Sequence, residues 1–334
     1  MNGKLRLALI GAGGIGVLWS EVIKKSNKAV LAAVIDLDIA KAKAIAESEN
    51  DCLASIDYKE ILNDSDLDGV VVATPHKFLA PISLDFLKAK KNVLCEKPAG
   101  ISSAEIKKNI DVAEKNQLAY MVGFNHRYHP AFLLAKEKFV SGEIGKLLFI
   151  RARYGFGGKP NYQKEWRFNK EISGGGELID QGVHMIDMSR WFMGDIQDVK
   201  GFASTLLWQN GVEDNGFALL RGKGGGVASI HVSWTNWNWI HTFEIFGEQG
   251  YLIIEGLDQR YRGPERLIIG RRHPEFLEPP KEEVIKFENE DKDLSLGREL
   301  EEFILAIQEK RDSVSSGKDA YEVLKIVEKI YAQN

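Results

Sequence analysis

Three side chains in this sequence have the types and settings needed to move a proton beside an oxygen: Lys97, Asp180 and His184. Lys97 follows the apolar run Val93–Cys95 and Glu96, and precedes Pro98. An apolar run that stops at charge and proline reads as a buried parallel strand whose last residues emerge at a ligand crevice. Proline cannot donate to a sheet ladder and biases Lys97 toward extended backbone, so the ammonium sits on a turn and can donate to an alcohol or carbonyl oxygen. Asp180 and His184 follow Gly174-Gly175-Gly176. A helix starting near those glycines stacks the two on one face, with Asp187 and Trp191 continuing it. There the carboxylate can orient an imidazole whose ordinary pKa of ~6.5 suits proton exchange near neutrality. Taken alone, each feature also has a plain reading: a solvated Lys–Glu pair, and a surface i,i+4 pair worth roughly a few tenths of a kcal/mol. Asp187 reads as such a surface residue. No third ligand stands at a suitable spacing from Asp180 and His184, so no metal is expected.

The segment that would serve these groups begins at Leu5–Ile10, an apolar run followed at once by Gly11-Ala12-Gly13-Gly14-Ile15-Gly16. Glycines at the first, third and sixth places give a tight turn, a close backbone approach to a pyrophosphate and close helix–strand packing. A helix over about 15–25 is expected, with Leu18 and Val22 on its inner face. The run Ala29–Ile35 then ends in Asp36, at the distance where an acid meets adenosine ribose hydroxyls. Strand, glycines, helix, strand and acid in this order point to a dinucleotide. Asp36 would repel a 2′-phosphate, so NAD is expected over NADP. Further alternation of helices and apolar runs, ending at Ala119–Gly123, specifies a doubly wound parallel sheet of six strands. Thr74, Pro75 and His76 close the fourth, where a ribose or nicotinamide belongs.

After residue 123 the grammar changes to strand-like runs joined by glycine turns. An α/β Rossmann domain over 1–123 is thus expected to precede an α+β domain over 124–334, with a large, mostly antiparallel open sheet. Gly256–Lys292 reads as a long surface excursion, and 297–310 and 318–332 as two closing helices. A sheet with one bare face suits a homodimer or homotetramer. Trp234, Trp237 and Trp239 read as one strand face, for stacking on a sugar or for burial at a subunit interface.

Composition narrows the partners. In 334 residues, 44 Lys and Arg against 48 Asp and Glu leave a net charge of -4, with no bulk attraction for nucleic acid or an anionic membrane. No apolar run approaches the ~18 residues of a membrane span. Met1–Leu9 superficially looks like a secretory leader, but the glycines interrupt it and it reads as a first strand. Cys52 and Cys95 show no pairing pattern, which fits a reducing, cytoplasmic setting.

The glycine motif, Ala73-Thr74-Pro75, Glu96-Lys97-Pro98, Gly123–Tyr128, Trp166-Arg167, Gly174–Gly176 and the Asp180…His184 pair resemble, over essentially the whole length, the glucose-fructose oxidoreductase / inositol dehydrogenase / rhizopine catabolism (Gfo/Idh/MocA) family. The resemblance implies NAD(P)-dependent oxidation or reduction of a ring hydroxyl on a sugar or cyclitol. It also implies catalytic roles at Lys97, Asp180 and His184, and cofactor contacts near Glu96, Asn125, Trp166 and Arg167. Lys97, Asp180 and His184 are taken also as substrate contacts, together with Arg127, Arg153 and Tyr154. Arg153, Tyr154, Lys164 and Arg167 would surround a substrate phosphate or carboxylate, as in a nucleotide sugar, or form a plain surface cluster. Either His184 or Lys97 is the proton acceptor. Two other readings stay open: retained NAD assisting an elimination or glycoside cleavage, and a non-catalytic NAD and sugar sensor.

Overall fold

The computed structural model describes residues 3–49, 51–209, 211–257, 261, 263–276, 278–287 and 294–334. The chain forms two compact units, Met1–Asn125 with Leu296–Glu322, and His126–Ser295 with Val323–Asn334. The first unit therefore regains 27 residues of late sequence that the reading above assigned to the second domain.

In the first unit, β1 (Leu5–Ile10), α1 (Gly14–Lys25), β2 (Ala29–Ile35), α2 (Ile39–Ala46), β3 (Leu53–Ser55), β4 (Gly69–Val72), α3 (His76–Lys88), β5 (Asn92–Glu96), α4 (Ser103–Asn116) and β6 (Tyr120–Gly123) alternate along the chain. The strands pair in parallel in the order β3-β2-β1-β4-β5-β6. Both faces are covered, which is why β1, β4 and β6 read as unbroken apolar runs. Strand order reverses between β1 and β4, the place where such sheets open a ligand crevice. The inner face of α1 is Gly16, Trp19, Ser20 and Ile23, while Leu18 is 45% exposed. The expected Leu18/Val22 face is thus rotated by one residue, because Gly16 is the point at which the helix crosses β1. Late sequence covers the free edge of β6: Val122 donates to Ser315 O at 2.9 Å, and Met121 bridges Ser316.

The second unit contains α5 (Pro130–Val140), β7 (Leu147–Gly155), α6 (Lys170–Ser173), α7 (Val183–Met193), β8 (Ile196–Ser204), β9 (Asn215–Gly222), β10 (Val227–Ser233), β11 (Ile240–Gly247), β12 (Gly250–Glu255), β13 (Glu265–Arg271) and β14 (Glu282–Phe287). Helices α8 (Ser295–Glu309) and α9 (Gly317–Tyr331) close the chain. The eight strands run β14-β13-β12-β11-β7-β10-β9-β8, antiparallel except for β7 with β10. Burial alternates along β7, β9 and β10. One face of the sheet is core, while the other exposes Phe149, Phe202, Phe217 and Leu219.

Two expectations need correction here. The 256–292 stretch is not one surface excursion: it holds β13 and β14, and 258–260, 262, 277 and 288–292 lie outside the described residues. Three of the six residues in Glu282–Phe287 are Glu or Lys on an edge strand, and so charged a segment hides its period. The tryptophans share no strand face. Trp234 is fully buried against Tyr162 and Phe168, whereas Trp237 is 69% exposed and Trp239 40%, in the loop after β10. Their spacing of three and then two residues fits no single-face period.

Candidate active site

The glycine turn in the first unit is shaped for a diphosphate. Gly11 has φ +103°, and a Cβ there would lie 2.5 Å from Ala73 O. A Cβ on Gly16 would lie 2.0 Å from Gly11 O, so this glycine lets α1 cross the strand end. By contrast, Cβ atoms on Gly13 and Gly14 would meet nothing within 4 Å, and α1 begins there with no acid in its first turn. Open space before a helix N-terminus suits an anion. Ile15, 37% exposed, follows on the first turn of α1. Just after β4, the Thr74 hydroxyl is buried with no partner among the described residues, Pro75 caps α3, and His76 opens it at 3% exposure. An orphan hydroxyl beside an open glycine cradle is what a bound dinucleotide would complete, so the residues present fit NAD.

Asp36 accepts from Ala12 N–H at 2.7 Å and from Asp38 N–H at 2.9 Å, which fixes its carboxylate beside the turn. We expect Asp36→Ser to raise the NADP-to-NAD ratio of kcat/KM at least about tenfold, because repulsion of a 2′-phosphate is removed. NAD binding should weaken as well, since the Ala12 hydrogen bond is lost. An unchanged ratio in paired steady-state assays would show that Asp36 does not read the ribose.

Lys97 stands at the carboxyl end of β5, as expected. Its turn is closed by Ala99 N–H donating to Glu96 O at 3.0 Å, and the Lys97–Pro98 peptide is cis. Glu96 accepts from Trp19 Nε1 at 2.7 Å and packs on Gly123, which ties the lysine turn to α1 and β6. Asn125 opens the turn after β6.

In the second unit, Asp180 lies on a π-helical turn, Leu178–Gly182, that runs directly into α7. The expected regular i,i+4 stack is therefore replaced by a wider turn, a feature concentrated at functional sites. The preceding glycines explain it. A Cβ on Gly176 would lie 1.8 Å from Glu213 O, and one on Gly175 2.1 Å from the Tyr331 hydroxyl. Glu213 then clamps the segment: its carbonyl accepts from Glu177 N–H at 2.9 Å, and its carboxyl accepts from Leu178 N–H at 3.2 Å and Tyr331 Oη at 2.6 Å. Burial pushes the Glu213 carboxyl up from its ordinary pKa. Gly176→Ala should cost on the order of 3 kcal/mol in urea unfolding, because the obstacle is backbone; wild-type stability would refute this account of the clamp.

Asp180 is 2% exposed and accepts from Arg167 Nε at 2.8 Å. Arg167 also donates to Glu165 at 3.1 Å and lies 4.7 Å over the Trp166 ring. The Asp180 charge raises the Arg167 guanidinium further above its usual range. His184 is 4% exposed, and its ring stacks on that of His126 at 4.0 Å and 11°. His126, His129, His241 and Tyr154 gather around this pair. Four of the chain's seven histidines thus share one cluster, and of these the sequence reading singled out only His184. His126 and His129 sit within or beside the quoted Gly123–Tyr128 motif, where the neighbouring Arg127 drew attention instead.

Two expected substrate contacts are placed elsewhere. Arg127 is 3% exposed and bound to Asp187, Nε to Oδ2 at 2.7 Å and Nη2 to Oδ1 at 2.5 Å. Asp187, expected at the surface, is fully buried as the other half of this pair. Arg153 and Tyr154 are successive residues of β7 and so point to opposite faces. Tyr154 is buried beside His126, while Arg153 is exposed and donates to Thr242 Oγ1 at 3.2 Å. The expected Arg153–Tyr154–Lys164–Arg167 anion cluster does not form around one point. Among the described residues there is no group of three His, Cys, Asp or Glu able to hold a metal, and no helix long and apolar enough to cross a membrane.

A doubly wound sheet with a diphosphate cradle and a second unit carrying a fixed acid and histidine define an NAD-dependent oxidoreductase. Residues 5–124 match the model of the oxidoreductase family with NAD-binding Rossmann fold, and residues 132–253 that of the GFO/IDH/MocA C-terminal domain. The chain belongs to the Gfo/Idh/MocA family. Levoglucosan dehydrogenase of Pseudarthrobacter phenanthrenivorans is 31% identical over 226 residues, 59% of this chain and 58% of that protein. Inositol 2-dehydrogenase of Rhizobium meliloti is 26% identical over 332 residues, 97% of this chain and 95% of that protein. A solved levoglucosan dehydrogenase in complex with NADH and levoglucosan superposes with a TM-score of 0.89 at 25% identity, covering 99% of this chain and 96% of that one.

Proposed function

We propose that this protein interconverts a ring secondary alcohol and its ketone on a sugar, sugar derivative or cyclitol. The observation that carries the reading is His184, buried and fixed by a ring stack, one π turn from an ion-paired Asp180. Bound NAD supplies the hydride acceptor. His184 takes the hydroxyl proton, Asp180 holds the substrate and the imidazole in register, and Lys97 donates a hydrogen bond to the oxygen on which charge develops. Levoglucosan and inositol are the substrates named for relatives, and they lead the search. A panel of cyclitols, anhydrosugars, sugars and nucleotide sugars should yield one substrate that forms one reduced cofactor per ketone; a panel with none would remove the proposal. The apolar face of the eight-stranded sheet is proposed to join copies in a homodimer or homotetramer, in the cytoplasm. Light scattering should return a mass of at least twice 37.4 kDa, and a monomeric mass would refute it.

A further inference from the structure

The ring of His184 stacks on that of another histidine. His126 comes from the turn Asn125–Tyr128 and is 2% exposed. Its ring lies parallel to His184, closer than the ~4.5–7 Å of ordinary aromatic pairs. It is itself held from several sides: His129 and His241 meet it edge-on at 5.8 and 5.4 Å, and Phe132 stacks at 6.3 Å. Tyr154 closes the ring of contacts at 5.4 Å. A side chain this confined can hold a neighbour's rotamer.

We propose that His126 is a positioning residue for His184, a stacking platform that fixes the imidazole plane and favours its protonated form. The inference rests on His184 being the proton acceptor. With His126 neutral, the cation that His184 becomes on taking the substrate proton faces the π system of that ring, an attraction that strengthens away from water. The groups that face His126 differ in charge. His241 is held neutral, its pKa pushed down to about 3 by burial and by the nearby His129, and Tyr154 is pushed well above its ordinary range by burial. His129 shares a 2.8 Å hydrogen bond with Glu265, which also accepts from Ala131 N–H. On the segment of His184 itself the charges are Glu177, Asp180 with Arg167 on it, Asp187 with Arg127 on it, and Arg190 in the last turn of α7.

The test compares His126→Phe, which keeps a flat ring, with His126→Leu, which removes it. Histidine ring resonances of the holoenzyme, assigned with His184→Asn, report the His184 titration midpoint by NMR whether or not the enzyme turns over. His126→Leu should lower that midpoint by about one pH unit. It should also lower kcat about tenfold with KM little changed and move the acid limb of the pH–rate profile the same way. His126→Phe should stay within about threefold of wild type on every measure. If His126→Leu fails to fold, His126→Met takes its place with the same expectation. An unchanged midpoint in the leucine or methionine variant, or a phenylalanine variant as impaired as they are, overturns the proposal. A wild-type protein that oxidises no alcohol would instead defeat the reading of function, while the titration still decides the stack.

Discussion

His184→Ala should lower kcat by about a thousandfold, within the range contributed by a positioned general base. Affinity for NAD should be nearly unchanged, because the glycine cradle and Asp36 lie on the other unit. The fold should survive as well, since Gly176, Glu213 and Tyr331 clamp the π turn without using the imidazole. Single-turnover kinetics at saturating NAD separate the two effects. A variant that turns over normally would remove His184 from the chemistry and leave Lys97 as the base. A variant that loses NAD affinity and kcat together would point to a general structural defect.

The largest stability effect belongs to a residue that the sequence placed against substrate. Arg127→Met should destabilise the protein by about 3–5 kcal/mol, because it removes both guanidinium hydrogen bonds from the fully buried Asp187 carboxylate. Arg127→Met with Asp187→Leu should recover much of that loss, since two apolar side chains of similar size avoid the cost of a lone buried charge. Urea unfolding midpoints measure both. A single variant as stable as wild type, with a raised KM for the alcohol, would restore Arg127 to substrate binding.

The contrast between Arg127 and Lys97 shows what the sequence could express. Lys97 sits where an apolar run meets proline, and Gly11, Gly13 and Gly16 stand in a spacing with a single backbone meaning, so local pattern carried both. The parallel sheet was legible for the same reason, because covering both faces leaves uninterrupted apolar runs. The fate of Arg127 depends on Asp187, sixty residues away, and no periodicity encodes such a pairing. Asp180 and Arg167 are likewise joined through a loop, and the π turn that offsets Asp180 from a regular helix is imposed by Glu213 and Tyr331 from distant sequence. The histidine cluster brings together residues of β11, α7 and the turn after β6. Edge strand β14 stayed hidden because its charges break the alternation that a half-buried strand would show.

Hydride transfer from a substrate carbon is the claim on which the catalytic reading stands, and isotopic labelling tests it directly. Deuterium placed on the carbinol carbon of the substrate found in the panel should appear in the reduced nicotinamide, one per ketone formed. Deuterium that stays in the product or exchanges into water, with no labelled cofactor released or retained, would contradict it.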